Sequence, residues 1–148
     1  MSKKPSIKKP SNPKDAIGIK KVPISVVPAP VLGELALGML EGALKYGRHN
    51  YRAIGVRGSV YYDAAIRHLF AWWEGQDYDQ DSQADLHHIS KAIASLVVLR
   101  DAMLRGKFCD DRPPRSNDKW IEELNRRAET LIAAFPKPVP AYTELPSK

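Results

Sequence analysis

Features that mark several protein classes are scarce or absent in this chain of 148 residues. Its single cysteine, Cys109, excludes an internal disulfide and any zinc site built on cysteines. No apolar run approaches the roughly 20 residues of a membrane-spanning helix. The N-terminal lysines are not followed by the apolar stretch of a signal peptide. These absences predict a soluble cytoplasmic protein, and the length suits one domain.

Sequence motifs for several common chemistries are also missing. The chain has neither the GxxxxGK[ST] loop nor the GxGxxG loop that cradles phosphates. It has no HExxH helix for zinc hydrolysis and no EF-hand loop for calcium. Two features that could bind a metal or a phosphate remain: carboxylates in stripes on helices, and a run of acidic residues.

Positive charge is concentrated at the N-terminus. The formal net charge is +6, and seven lysines against one aspartate in residues 1–22 account for all of it. Residues 23–148 carry equal numbers of acidic and basic side chains, which disfavours a uniformly basic nucleic-acid-coating domain. A nucleic-acid-binding module that uses the basic arm stays open as an alternative function. Four aromatic side chains are its candidates for stacking on bases: Tyr51, Tyr61, Trp72 and Trp73.

Proline is absent from the middle of the chain. Six of the 12 prolines lie at positions 5–30 and six at positions 113–146. Because proline breaks helix interiors, the proline-free residues between them can hold long helices. This distribution predicts three parts: a basic arm over residues 1–30, a helical domain over residues 31–135 and an extended tail over residues 136–148.

The arm contains a segment with its own turn signals. Residues 12–23 include an Asn-Pro pair and Gly18, which impose specific turns on the backbone. This segment could fold over a site and bring Lys14 or Lys20 to it. The remainder of the arm is expected to have no regular structure of its own.

Apolar residues recur at helical spacing in four segments. In the first segment, Leu32, Leu35 and Met39 share one face, and Gly47 is a plausible C-terminal cap. Strand-like alternation is nearly absent, apart from a short piece over residues 22–27. The predicted helices cover residues 30–46, 59–74, 86–105 and 116–135. The predicted fold class is therefore all-α, as a small helical bundle.

Carboxylates form stripes on the first two predicted helices. At 100° per residue, Glu34 and Glu41 lie on one narrow stripe, and Asp63 and Glu74 lie close together around the second helix. Carboxylates from facing helices of a bundle can gather hard cations such as Mg²⁺. The same spacing also fits the solvated faces of amphipathic helices, and both interpretations stay open.

An acidic run follows the second predicted helix. It holds five acids without a base between them and ends in a histidine pair: Glu74, Asp77, Asp79, Asp81, Asp85, His87 and His88. Like charges so close together repel, and a bound metal would relieve that repulsion. An exposed loop between helices has the same composition, so the run alone does not decide between the two.

Basic side chains accompany both acidic features. They are Lys45, Arg48, His49 and Arg52 beside the first, and Arg57, Arg67 and His68 beside the second. A metal together with Lys and Arg is what phosphoryl chemistry needs, because these cations neutralise charge that develops on phosphate oxygens. Arg67 also stands four residues after Asp63, so an ion pair within one helix is an alternative.

Two longer strings make the chain recognisable. EGALKYGRHNYR (residues 41–52) and SVYYDAAIRHLFAWWEGQDYD (residues 59–79) resemble a phage family of MazG-like nucleotide pyrophosphohydrolases, the dATP/dGTP diphosphohydrolases. The opening NPKDAIGIKKVPISVVP and the later HISKAIASLVVLRDAM fit the same family, so the resemblance covers about residues 12–112. The strings look most like the MazZ branch, the (d)GTP pyrophosphohydrolases of phages that replace adenine with diaminopurine.

The resemblance implies a fold, an activity and a cofactor. It implies an all-α NTP pyrophosphatase bundle that is a homodimer or homotetramer, in the host cytoplasm if a phage encodes it. It implies Mg²⁺ or Mn²⁺ held by helix carboxylates, and a metal-activated water that attacks the α-phosphorus of a (d)NTP. The products would be a (d)NMP and pyrophosphate. The expected substrate is (d)GTP, with dATP as a further candidate, and dGMP would supply diaminopurine nucleotide synthesis.

The resemblance also implies site residues, although one departure matters. The wider superfamily carries ExxE on one helix and ExxD on the next, whereas this chain has Val60 three residues before Asp63. The first choice for catalytic and metal-binding residues is Glu34, Glu41 and Asp63. Glu74 and Asp77 form the literal ExxD and are the second choice for metal ligands.

Substrate contacts are expected from the basic and polar residues near these acids. His88 and Lys91 match the third-helix string of the family, and Asn50 is a candidate for reading a guanine base. The full expected set is Lys14, Lys20, Lys45, Arg48, Asn50, Arg67, His68, His88 and Lys91.

Overall fold

The structure is a computed structural model that describes residues 12–143. Its helical content confirms the predicted all-α class. The elements in chain order are α1 (Pro13–Gly18), a 3-10 turn (Ile24–Val26), α2 (Ala29–Tyr46), α3 (Asn50–Ala53), β1 (Val56–Arg57), α4 (Gly58–Trp73), α5 (His88–Leu104), β2 (Phe108–Cys109) and α6 (Trp120–Ala133). The four predicted helices correspond to α2, α4, α5 and α6, each within a few residues at its ends.

The arm contains more structure than the sequence predicts. Its residues 1–11, with four of the lysines, lie outside the described residues. In α1, the Asn12 side chain accepts a hydrogen bond from the Lys14 amide at 2.9 Å, and Pro13 occupies the first helical position. The short strand-like alternation over residues 22–27 does not form a strand: this piece contains the 3-10 turn, and a proline on either side of the turn limits strand pairing.

The only sheet in the described residues is a parallel pair that the sequence did not predict. Val56 of β1 lies opposite Phe108 of β2. The strands are two residues each, too short for any alternation of apolar and polar residues to reveal them. This pair brings the start of α4 next to the end of the segment that follows α5.

The start of α4 depends on that neighbour. Arg57 is the capping residue of the helix, and its side chain makes no cap hydrogen bond. The Asp111 carboxylate instead accepts hydrogen bonds from the Ser59 amide at 2.8 Å and from the Ser59 hydroxyl at 2.5 Å. These bonds lower the pKa of Asp111, and they place a negative charge at a helix N-terminus, where it is favourable. At Gly58 a Cβ would lie 3.0 Å from the Phe108 ring, so this close approach favours glycine.

The chain divides into two compact units, residues 1–111 and residues 112–148. The helical domain predicted over residues 31–135 spans this division. In the second unit, an Arg115–Asp118 ion pair at 2.8 Å precedes α6. The apolar residues of α6 are exposed, and they keep the helical period that predicted the helix.

The first unit packs α5 against α4 and, less extensively, against α2. Its buried apolar residues are few and mostly small: Val56, Ala65, Leu86, Ala92, Val98 and Ala102. Large apolar side chains remain exposed, among them Leu44 at 79%, Phe70 at 68% and Trp73 at 77%. Exposed apolar surface on this scale is typical of an interaction surface. None of the helices in residues 12–143 is both long and apolar enough to cross a bilayer.

Candidate functional site

A cleft of about 950 Å³ opens in the first unit, between α2, α4, α5 and the loop that joins α2 to α3. Four permanent cations line it, against the single carboxylate of Glu41: Lys45, Arg48, Arg67 and Lys91. His49, Asn50 and His68 add polar ring and amide groups. This excess of positive charge suits an anionic ligand that carries several phosphate groups. The cleft contains seven of the residues predicted for the site, namely Glu41, Lys45, Arg48, Asn50, Arg67, His68 and Lys91.

Lys91 is the centre of a charged network at one end of the cleft. Its Nζ lies 3.1 Å from Glu41 Oε2 and also donates a hydrogen bond to Asp79 Oδ2. Lys45 Nζ lies 3.3 Å from the other oxygen of Glu41. The side chains of Lys91, Glu41 and Asp79 are only 15%, 18% and 12% exposed. One ammonium therefore joins α5 to α2 and to the loop between α4 and α5.

The network keeps its members charged. Burial alone would raise the pKa of Glu41, but hydrogen bonds and charge from Lys91 and Lys45 outweigh it, and the pKa is lowered. Burial also opposes ionisation of Asp79, and again Lys91 prevails, so this pKa is lowered too. The Lys91 pKa is lowered by burial and raised more strongly by the two carboxylates. Both acids and the base are consequently ionised at neutral pH.

The loop between α4 and α5 selects one residue of the acidic run for this network. The Asp79 amide donates to the Leu86 carbonyl at 2.9 Å, and the His88 amide donates to the Asp77 carbonyl at 2.8 Å. These backbone bonds fold the loop back on itself and turn the Asp79 side chain toward Lys91. The Asp77 side chain stays 64% exposed, with one oxygen 3.8 Å from His87 Nε2.

Glu34 and Glu41 both contact residues of α5. The hydroxyl of Ser90, the residue before Lys91, donates a hydrogen bond to Glu34 Oε2 at 2.5 Å. Glu34 itself does not line the cleft. Between the two acids on α2, a Cβ added at Gly38 would lie 3.5 Å from the Ala94 Cβ, which is an ordinary contact.

Several predicted residues lie apart from the cleft. Asp63 is exposed on α4, Glu74 is exposed at the end of that helix, and Lys14 and Lys20 are exposed in and after α1. Within residues 12–143, no group of three carboxylate, histidine or cysteine side chains lies close enough to hold a metal ion. The structure therefore does not assemble Glu34, Glu41 and Asp63 into one ligand set.

The donor chemistry nevertheless fits a metal that is shared with a substrate. Glu41 and Asp79 converge on one position, which the Lys91 ammonium holds in this structure. Mg²⁺ in nucleotide sites is commonly bound by one or two carboxylates, with water and phosphate oxygens completing its shell. Two converging carboxylates meet that requirement, provided that Lys91 shifts toward the phosphates.

Two histidines pair beside this network. His68 on α4 and the buried His88 at the start of α5 place their Nδ1 atoms 2.9 Å apart. One Nδ1 atom must donate the hydrogen bond and the other must accept it, so at least one of the two rings lacks a proton on Nδ1 in this arrangement. Burial, followed by the charges of Lys91 and His88, lowers the pKa of His68. His68 therefore presents a neutral ring to the cleft at pH 7.

Sequence reasoning missed two residues, one in the network and one beside it. Asp79 belongs to the acidic run, but no helical spacing distinguishes it from its neighbours, and only the path of the loop does so. Ser90 has no marked signal, although it lies in the third-helix string beside Lys91. Tyr46 and Tyr61 also line the cleft. The sequence indicated no role for Tyr46 and made Tyr61 a candidate for stacking on nucleic acid.

Comparison with known proteins identifies the family. A family model described as dATP/dGTP diphosphohydrolase, N-terminal, matches residues 11–112. The matched region contains every residue that lines the cleft, and it ends where the first compact unit ends. No curated protein and no solved structure matches the chain. With the family model covering more than half of its length, this chain belongs to the dATP/dGTP diphosphohydrolase family.

Proposed function

We propose that this protein is a nucleoside triphosphate pyrophosphohydrolase that converts (d)GTP, with dATP as a further candidate substrate, to the monophosphate and pyrophosphate. The observation that carries the proposal is the cleft, in which four cations face one carboxylate within the region matched by the family. A triphosphate carries several negative charges, so it needs several cations at close range.

The side chains of the cleft have distinct parts in this reaction. Lys45, Arg48 and Arg67 neutralise the triphosphate and orient it. A water oxygen forms a bond to the α-phosphorus, the bond from that phosphorus to the bridging oxygen breaks, and pyrophosphate leaves with the bonding pair. Glu41 is ionised at neutral pH and lies in the cleft, so it is placed to accept a proton from that water.

We propose Mg²⁺ or Mn²⁺ as the cofactor, held by Glu41 and Asp79. When bound, the ion neutralises charge on the phosphates and makes a water more acidic. The Lys91 ammonium, released from the two carboxylates, is then free to contact a phosphate oxygen. Glu34, about two turns before Glu41 on α2, steadies the start of α5 through Ser90.

Assembly into a homodimer or homotetramer is part of this proposal. The first unit leaves many large apolar side chains exposed, among them Leu44 and Trp73, and a second copy of the chain is the simplest partner for such faces. Asp63, which is exposed on α4, would then reach a metal only in a site shared between copies.

The finer substrate assignment rests on the similarity to the MazZ branch. Members of that branch release dGMP as a precursor of diaminopurine nucleotide in phages, and we propose the same role here. Asn50 lines the cleft, and its amide can both donate and accept hydrogen bonds, as reading a guanine edge requires.

Product analysis tests the proposal directly. Purified protein is incubated with each of the common (d)NTPs and either Mg²⁺ or Mn²⁺, and the products are separated by ion-exchange chromatography. The expected result is monophosphate and pyrophosphate, fastest with dGTP or GTP. Release of orthophosphate, or no turnover of any nucleotide with either metal, would overturn the proposal.

A further inference from the structure

The end of the cleft away from Lys91 is aromatic. Three tyrosines line it, one from the last turn of α2, one from α3 and one from the first turn of α4: Tyr46, Tyr51 and Tyr61. Tyr51 and Tyr61 pack against the buried cluster of Val56, Val98 and Ala102, which holds their rings in place. The cleft therefore has the Lys91 network at one end and the tyrosines at the other, on different turns of the same helices, and the loop that carries Arg48 lies beside the tyrosines.

The separation of the two ends follows from the helix. Lys91 and Val98 are seven residues apart on α5, which corresponds to about 10 Å along the axis. One end contains Lys91 and His68, and the aromatic end lies next to Val98. A nucleotide is an elongated ligand whose sugar separates its phosphates from its base, so it matches this division.

The three phenol groups are close to one another. Burial raises the pKa of Tyr61, and the neighbouring phenols of Tyr46 and Tyr51 raise it further. Tyr61 therefore stays uncharged at neutral pH and offers a flat, neutral ring surface. Tyr46 is 71% exposed, so one ring stays open to a ligand while the other two form the wall behind it.

We infer that these tyrosines form the binding site of the nucleobase, with Tyr46 as the ring that stacks over the base. The inference rests on the proposed function, because it assigns the base end of the same cleft. The ligand class is a planar aromatic base, and a purine is favoured over a pyrimidine because its larger ring system gives more stacking area. Tyr46 is thus a specificity residue rather than part of the hydrolytic machinery.

The test separates the base from the phosphates. Binding of dGMP, of dCMP and of inorganic tripolyphosphate to the full chain is measured by isothermal titration calorimetry. In Tyr46→Ala we expect dGMP to bind about 10-fold to 100-fold more weakly, while tripolyphosphate binding stays unchanged. Tyr46→Phe should bind dGMP like the wild type, because stacking needs the ring and not the hydroxyl.

Tyr62→Ala is the matched control. Tyr62 is a neighbouring tyrosine on α4, it is 61% exposed, and it does not line the cleft. Its replacement should alter neither dGMP nor tripolyphosphate binding. Equal binding of dGMP by Tyr46→Ala and wild type, or equal loss of both ligands in Tyr46→Ala, would overturn the inference.

Failure of the inference can be told apart from failure of the proposed function. If wild-type protein releases pyrophosphate from dGTP but Tyr46→Ala keeps the wild-type KM, only the assignment of the nucleobase-binding site is wrong. If wild-type protein hydrolyses no nucleotide, the proposed function itself is wrong. A rise in KM for dGTP with kcat nearly unchanged in Tyr46→Ala supports both.

Discussion

Two ion-paired clusters join distant parts of the first unit, and they differ in what they leave unsatisfied. In the Lys91 network, one ammonium serves the two carboxylates of Glu41 and Asp79. At the other cluster, the Nε and Nη2 atoms of Arg52 each donate to Asp101 at 2.8 Å. The first cluster is mostly buried and borders the cleft, whereas the Arg52 side chain is 42% exposed on the surface.

This difference suggests that the Arg52–Asp101 pair is a structural contact and that the Lys91 network belongs to a functional site. A guanidinium and a carboxylate satisfy each other with two parallel hydrogen bonds, and their charges cancel. Their mutual attraction raises the Arg52 pKa and lowers the Asp101 pKa, with the hydrogen bonds between them as the largest cause. In the Lys91 network, the two carboxylates meet single ammonium contacts from Lys91 and Lys45 instead of a paired guanidinium, so their oxygens retain capacity for another cation. We expect the first cluster to matter for chemistry and the second for holding α3 against α5.

The largest expected effect follows from breaking the acidic side of the Lys91 network. Glu41→Gln should lower kcat by about 100-fold or more, because it removes a charge that acts on the reacting phosphate or its cation. Far-ultraviolet circular dichroism should show intact helices. Asp101→Asn is the matched surface control and should keep kcat close to wild type, so equal losses in both variants would refute the distinction.

Glu34→Gln extends the same experiment along α2. Because Glu34 accepts the Ser90 hydroxyl and does not line the cleft, Glu34→Gln should lower kcat less than Glu41→Gln does, with the helical signal unchanged. Abolished turnover would instead support the metal-ligand role that the sequence predicted for Glu34.

The next effect concerns stability. Lys91→Met leaves two carboxylates close together without their shared cation, and we expect a loss of about 1–2 kcal/mol in the free energy of unfolding. Lys45→Met removes a half-exposed ammonium that pairs with Glu41 within one helix, and it should cost about 0.5 kcal/mol or less. Urea denaturation measures both.

Manganese sharpens this comparison. If Glu41 and Asp79 hold the cation, Mn²⁺ should raise the melting temperature of Lys91→Met more than that of wild type, because no ammonium competes for the carboxylates. An equal response of the two proteins to Mn²⁺ would argue against this pair as the metal site.

The Lys91 network should make stability depend on pH at both the acidic and the alkaline end of the range. Because the folded-state pKa values of Glu41 and Asp79 lie below 4.5 and 3.8, their stabilisation is present above those values and is lost as the pH falls through the lowered ones. Because the Lys91 pKa lies above 10.5, its stabilisation is present below that value and is lost as the pH rises through the raised one. Thermal melts across this range should show both losses in wild type and smaller losses in Lys91→Met.

The smallest effect is expected at the surface cluster. Arg52→Lys removes the two parallel hydrogen bonds but keeps the charge, so it should lower stability less than Lys91→Met does and leave the KM for dGTP unchanged. Urea denaturation and steady-state kinetics check this. A larger loss than in Lys91→Met would reverse the order of importance of the two clusters.

Much of the fold could be predicted because its signals are local. Leu32, Leu35 and Met39 repeat at the spacing of one helix face, and Gly47 ends α2 with a positive φ of 90°. The start of α4 could not be predicted correctly, because its cap comes from Asp111, 52 residues away. The β1–β2 pair escaped prediction for the same reason, since its partners are joined only by the packing of α4 and α5.

The residues of the candidate site likewise fall into those that could be predicted from the sequence and those that could not. Its basic residues and Glu41 could be nominated because they stand on one helix or in family-like strings, and the cleft brings them together. The choice of Asp79 over Asp77, and the exclusion of Asp63 from the cleft, could not be read from spacing. The first depends on how the loop between α4 and α5 folds back, and the second on which face of α4 packs against α5.

The sequence by itself determined that this protein is helical, that its positive charge outside the arm is balanced by acids, and that it belongs with nucleotide diphosphohydrolases. These properties reside in residue identity and in spacing over a few turns. Only the tertiary structure decided which acid meets Lys91, where the tyrosines gather and which apolar faces stay open. These depend on contacts such as Glu34 with Ser90, 56 residues apart, which form only when α2, α4 and α5 pack together.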